Sequence, residues 1–391
     1  MIGLLTLLLQ AAAPAPAPAT DIVVTGQRLE TTAAALAACV ARHCPTDEDA
    51  RATLAHAENQ FVGGDYRAAR QTLGASIGRN KRFAKGYPVP VSDLMRANAR
   101  MNAHLGEGEL ARLGQIDSLV ALKAGLPAGD GRVLVQRMEV ANADARRGQA
   151  IPALEAYAGI ADDAHSAGLP VVEGFARLRR VILFAALSAT DKGYAGDMKR
   201  AVRWFDDRPD LKSFALAARL LAAQEAARKG DTTAIDALIA SQGAATKSPR
   251  LLYAPVEVSQ NSGASVAGGS DTNALTTDDY DGQWADVGFW VKPDGRVADV
   301  DILRRGPKLD PVWVKPILAR VALRRYSPLA MAADEPGLLR VERYTWIADW
   351  TKTSRSRIRT RSGIPRVEMV DLTAEPSAPP AAGGAAPAPS P

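Results

Sequence analysis

Between Asp286 and Gly306 the chain alternates apolar and polar residues. Val287, Phe289 and Val291 take every second position, Pro293-Asp294-Gly295 interrupts them, and Ala298, Val300 and Ile302 resume the alternation. Side chains of an extended strand point to opposite faces in turn, so each trio shares one face. Pro presets one dihedral of a tight turn and Gly accepts the left-handed one, so the stretch predicts a hairpin. Asp310 before Pro311 then has the chemistry of a helix start, with the carboxylate as cap and Pro at the first helical position. Trp313, Val314, Ile317, Leu318 and Val321 form that helix's apolar stripe. Pro316 lies early in it, and Arg324 to Pro328 closes it. Leu338 to Ile347 predicts a third strand. Strand, strand, helix, strand gives a small sheet with one helix packed on it.

Upstream, from Thr31 to Gln242, the period is helical. Val171, Phe175, Leu178, Ile182 and Ala185 step by three or four and predict one packed face. Glycine turns recur at Gly64-Asp65, Gly106-Glu107, Gly148-Gln149 and Gly230-Asp231, separated by 42, 42 and 82 residues. The missing middle turn falls in Ser188 to Gly193. A spacing of about 40 residues is that of stacked helix pairs. An ordinary helical domain with glycine turns is the alternative. Together the two regions predict an α+β multidomain chain, a helical-repeat part resembling an α-solenoid followed by a small β-β-α-β unit.

Composition places these parts. A chain of 391 residues has room for two or three domains. Of these residues 47% are hydrophobic but only 5% aromatic, which suits packed helices over most of the length. The net charge is +5, yet Gly282 to Arg366 alone holds 17 Lys and Arg against 9 Asp and Glu, so the basic character belongs to the C-terminal unit. Ile2 to Leu9 is apolar and too short to span a bilayer. It fits the core of a secretory signal peptide over residues 1–19, with a small-x-small site at Ala17-Pro18-Ala19. A periplasmic, soluble protein is expected; an uncleaved, membrane-associated N-terminus is the alternative. An extended leader (20–30), the helical region (31–242), a Gly/Ser/Thr-rich linker (243–281) interrupted by a short strand at Leu251 to Pro255, the C-terminal unit (282–370) and a Pro/Ala tail (371–391) complete the division.

Cys39 and Cys44 are the only cysteines. In an exported protein a local disulfide is expected. Residues five apart in an unbroken helix lie too far separated, but Pro45 disfavours helix at Cys44 and bends the chain. Two unpaired thiols are the alternative.

The C-terminal residues carry a resemblance. Gln283 to Leu303, with its Asp-Gly turn, is similar to the opening hairpin of the TonB C-terminal domain family, the envelope energy transducers. Leu309 to Pro328 resembles that family's helix, including its aromatic-x-Pro ending at Tyr326-Ser327-Pro328. The similarity spans about 250–366. The resemblance implies that a sheet edge pairs with an extended segment of an outer-membrane receptor, in transport, by accepting it as an added strand. The candidate contacts are Leu339, Val341, Arg343 and Thr345 of the third strand. In the helical region, Ala57, Gly64, Tyr66, Ala69 and Leu73, then Ala141, Gly148, Ala153 and Tyr157, resemble the small, turn, aromatic and large positions of a tetratricopeptide repeat, in a degenerate form of longer period. Asp21, Ile22, Val23, Val24 and Thr25 resemble a TonB box, the segment such domains grip, so the resemblance implies pairing either with TonB in trans or with this chain's own C-terminal unit. A leader without a partner is the alternative.

Arg355, Arg357, Arg359 and Arg361 alternate, so an extended chain sets all four on one side. Such a strip suits an acidic partner or peripheral contact with acidic lipids; a solvated strand whose charges discourage edge pairing is the alternative. Nucleic acid is not expected, because aromatics are not interleaved for stacking. Phosphate-loop, dinucleotide and nucleophile-elbow signatures are absent. His43, His56, His104 and His165 show no ligand spacing. No catalysis, cofactor or metal is expected. A protein-binding protein is the leading reading, and an envelope scaffold or assembly factor working through its helical groove is the runner-up.

Overall fold

The computed structural model describes residues 28–227, 231–241, 247–254, 282–352 and 359–373. The signal-peptide region, Asp21 to Thr25, most of the linker, Arg355, Arg357 and nearly all of the tail lie outside the described residues.

Eleven α-helices precede the sheet among the described residues: α1 (Leu29–Ala41), α2 (Thr46–Val62), α3 (Tyr66–Asn80), α4 (Pro88–His104), α5 (Gly108–Lys123), α6 (Gly131–Arg146), α7 (Ala150–Ser166), α8 (Pro170–Thr190), α9 (Ala195–Arg203), α10 (Lys212–Ala227) and α11 (Thr233–Ala240). Each packs on its neighbours in sequence, and α2 also touches α4, α6 touches α8 and α8 touches α10. The turns α2–α3, α4–α5 and α6–α7 share one shape. Gly64, Gly106 and Gly148 have φ of +85°, +74° and +82°. The next N–H in each reaches back into the helix: Asp65 to Gln60 at 2.9 Å, Glu107 to Asn102 at 2.8 Å, Gln149 to Asp144 at 3.0 Å. A left-handed residue is needed for this cap, and glycine adopts it without a Cβ clash. The α8–α9 turn falls in the Ser188 to Gly193 stretch and uses Asp191, whose carboxylate accepts the Gly193 N–H. Gly230 lies outside the described residues.

Small residues let the paired helices close. Ala57, Tyr66, Ala69 and Leu73 are buried in one cluster, and Ala141, Ala153 and Tyr157 in another. Within the first pair, Asp49 accepts from Thr53, Ser76 and the Nε and Nη2 of Arg79 at 2.7–2.9 Å. Burial works against its charge, but these donors together hold its carboxyl well below the usual range. On α8 the expected face is corrected. Val171 (59%), Phe175 (48%) and Ile182 are exposed, while Gly174, Ala176 and Val181 are buried. The small residues carry the close approach; the Gly174 position lies hard against the Phe214 ring.

The Cys39 and Cys44 sulfurs are bonded, with Cα atoms 5.2 Å apart. α1 ends at Ala41, and the left-handed His43 (φ 53°) turns the chain before Pro45 opens α2.

The C-terminal part holds β1 (Leu251–Tyr253), β2 (Trp284–Val291), β3 (Val297–Arg305), α12 (Pro311–Ala322), β4 (Arg325–Tyr326), β5 (Leu338–Lys352) and β6 (Arg359–Asp371). β1 pairs with β4, and the main antiparallel sheet runs β3-β2-β5-β6. Asp310 caps α12 by accepting the Val312 N–H at 2.9 Å. α12 covers one face of the sheet: Val287, Phe289, Val291, Trp313, Ile317 and Trp346 form the core, with Trp313 stacked on Trp346 at 5.7 Å. The α+β division into N-terminal helices and a small C-terminal sheet stands. The sheet has one long strand more than expected, β6, and this puts β5 in its interior. No helix among the described residues is long and apolar enough to cross a membrane.

Candidate functional site

Leu339, Val341, Arg343 and Thr345 share one face of β5, opposite Trp290, Gly288, Asp286 and Trp284 of β2. This is the face away from α12. Half of it meets the chain's own helices at the α2–α3 and α4–α5 turns.

Arg343 is 0% exposed. It donates to both Asp286 oxygens at 2.6 and 2.9 Å, and to the Phe61 and Val62 carbonyls at 2.5 and 2.9 Å. Its guanidinium lies 3.9 Å from the centre of the Trp284 ring. The last carbonyls of a helix lack intrahelical partners and carry its negative pole, so a cation there is doubly satisfied. The Trp284 ring in turn rests on Gly64, where a Cβ would lie 2.9 Å from the indole nitrogen.

The α4 end is held the same way. Arg366 donates to the Ala103 carbonyl at 3.2 Å and Arg361 to Leu105 at 3.3 Å. The Trp350 N–H donates to the Gly106 carbonyl at 2.7 Å, and Arg359 pairs with Glu107. A Cβ on Gly106 would run into the Ala348 carbonyl oxygen. Between the two turns, the Thr345 hydroxyl lies 3.1 Å from the Tyr66 hydroxyl and 3.0 Å from His104 Nδ1. The His104 ring packs against Phe61 and Tyr66, 5.1 and 5.2 Å between centres. Burial, then Arg100, Arg366 and Arg343, push its imidazole down to about 3. Burial likewise raises the Tyr66 hydroxyl.

Two expectations are corrected here. The backbone row of β5 is not open: β2 pairs along one side, from Trp284–Thr345 to Val291–Leu338, and β6 along the other, from Glu342–Asp371 to Lys352–Arg359. Arg343 and Thr345 are contacts, but to this chain's own helices; Leu339 and Val341 are only half-buried. Nor do Arg359 and Arg361 form a free strip. Both stack near Trp350, at 5.2 and 4.0 Å, and both bond the α4–α5 turn, although Arg359 stays 43% exposed.

The sheet's outer strands differ. β3 carries a left-handed Asp299 (φ 52°), two register shifts, and an Ile302 N–H already bonded to the Asp301 carboxylate at 2.7 Å. Such features blunt an edge. In β6, the Leu372 N–H just past its end donates inward to Val341. The N–H and C=O of one residue in an antiparallel strand point the same way. Val370, Glu368 and Arg366 therefore also turn toward β5, while Val367, Met369 and Asp371 turn their backbone groups outward.

Elsewhere, a cleft of about 550 Å³ between α7, α8 and the α9–α10 connection is lined by Asp162, His165, Glu173, Arg177, Trp204 and Arg208. Its buried carboxylate, Glu173, accepts from Arg208 and His165 at 3.2 Å. His56 lies 3.1 Å from Thr32 between α1 and α2. The histidines are not brought together, and no group of three or more His, Cys, Asp or Glu among the described residues is placed to hold a metal. Sequence reading placed Gly64 and Tyr66 only as repeat positions and Gly106 only as a turn, gave His104 no role, and did not single out Trp284 or Asp286 as contacts to the helices. Asp286 left a trace, as a charged position in the hairpin's first strand, directly opposite Arg343 of β5.

No protein-family profile matches the chain, and no curated protein matches it. Among solved structures, the crystal structure of BtubC (BKLC) from P. vanneervenii is similar over 57% of this chain and 93% of its own, at 15% identity and a TM-score of 0.41. An overlap this loose carries no argument.

Proposed function

We propose that this chain is a periplasmic, non-enzymatic protein-binding protein without a cofactor, in which a tetratricopeptide-like α-solenoid carries a TonB-like sheet that accepts an extended peptide by β-augmentation. The receiving edge on this reading is β6, not the third strand. The observation that carries it is the outward row of Val367, Met369 and Asp371, with Met369 48% exposed. The seam with the helices holds the sheet rigid while a partner strand pairs, and rigidity lowers the ordering cost of binding. The partner is an extended segment of an envelope protein such as an outer-membrane receptor. Asp21 to Thr25 is read as a segment of the same kind, gripped by a TonB-type domain of another chain.

The test uses the backbone. Proline at an outward position of an edge strand removes a donor to the visitor and spares the ladder within, as Pro365 already does opposite Ala348. Met369→Pro in the full chain should weaken binding of extended receptor-type peptides at least tenfold, with far-UV circular dichroism unchanged. Met369→Lys, which keeps the N–H, should bind as before. Unaltered binding by the proline variant rejects the reading.

The exposed Val171, Phe175 and Ile182 on α8 favour a second reading, a scaffold or assembly factor of the envelope that binds through its helices. Partner retention that survives Met369→Pro and is lost in Phe175→Asp selects it.

A further inference from the structure

His104 closes α4 at the point where helices and sheet meet. The groups facing it are Phe61 of α2, Tyr66 of α3, Arg100 of α4, Thr345 and Arg343 of β5, and Arg366 of β6. The nearby carboxylates are already engaged. Asp286 is bonded by Arg343 and Arg304, and Glu368 and Asp349 by Arg366. A proton on the ring would therefore add a cation among three guanidiniums, in a seam that leaves the residue 3% exposed. An unpaired charge is costly to bury, so the closed seam keeps the ring neutral and the ring takes a proton only where water reaches it. Hydrating this ring requires lifting Thr345 and its strand from the turns on either side.

We propose that the seam is a proton-operated clasp: a proton on His104 parts the sheet from the α2–α3 and α4–α5 turns, while the core under α12 and the α6–α8 core stay closed. Three observations on geometry support it. The imidazole sits inside the seam and not beside it. Its Thr345 partner is shared with Tyr66 across the same gap. And the two sides keep separate cores, apart from Trp284, Val370 and Leu372, which lie against the α2–α4 cluster.

The sign follows from proton uptake. Closed, the imidazole is held down to about 3 by burial and its cations; opened, it returns to near 6.5. Between those values the open form binds more protons, so closure is complete above the upper value and weakens about tenfold per pH unit below it. From pH 7 to pH 5 the open fraction should rise about 25-fold.

The Trp350 amide, bonded across the seam to Gly106, reports the event directly. Hydrogen exchange of the full chain, corrected for intrinsic rates, should show its protection falling about 25-fold from pH 7 to pH 5, while the buried α6 amide of Leu134 keeps its protection. His104→Gln retains a hydrogen-bonding group toward Thr345 but cannot titrate, and should flatten the Trp350 response. A flat response in the unaltered chain, an identical fall in His104→Gln, or an equal fall at Leu134 overturns the proposal. Should His104→Gln fail to fold, nuclear magnetic resonance titration of the native ring decides. A ring that protonates near pH 6.5 with Trp350 still protected overturns the clasp; one that stays neutral until Trp350 opens supports it.

Discussion

Gly64, Gly106 and Gly148 end their helices with the same backbone shape, but only the first two meet the sheet. Around Gly148 nothing lies within 4 Å of where a Cβ would stand; at Gly64 the Trp284 ring does, and at Gly106 the Ala348 carbonyl. One residue type thus answers two demands. The left-handed cap requires it at all three turns, and close approach of a second unit requires it at two. The helix ends differ in the same manner: α2 and α4 have arginines from the sheet on their last carbonyls, through Arg343, Arg361 and Arg366.

The largest effect that would sharpen this contrast is expected at Arg343. Arg343→Met keeps bulk but leaves Asp286 buried with Arg304 alone, and should cost about 3–5 kcal/mol by urea unfolding. Next come alanines at the three glycines. Gly106→Ala adds backbone overlap to an unfavourable φ and should cost about 3 kcal/mol, Gly64→Ala about 2, and Gly148→Ala about 1. Equal costs at all three would erase the distinction between loaded and open turns. Smallest is Arg359→Ala, an exposed pair with Glu107, at about 0.5 kcal/mol, fading further in high salt.

Local chemistry was legible where it depends on neighbours in the chain. The Pro293-Asp294-Gly295 hairpin, the Asp310 cap, the glycine turns 42 residues apart and the short strand at Leu251 all follow from adjacent residues. What failed depends on distance. Arg343 reads as a peptide contact in an edge strand because two of its acceptors, the Phe61 and Val62 carbonyls, are backbone atoms and leave no trace in side-chain pattern. β6 does not read as part of the sheet because its alternating arginines suit a charged strip or a solvated strand, yet an edge strand so marked still pairs on one side. On α8, large residues drew attention to the wrong face; helices approach over small ones, and Gly174 and Ala176 weigh little in any hydrophobic count.

Phe61 and Arg343 stand 282 positions apart. A chain made from its N-terminus must therefore complete α2 and α4 long before anything arrives to cover them, and the covering strands come almost last. Contacts of such long range form slowly. During that interval β5, paired to β2 alone, leaves its other side as a long open edge, the kind of surface on which nascent chains stick to one another. Molecules shortened before Arg359 would be fixed in that exposed condition, so the last fifteen described residues guard solubility as much as shape.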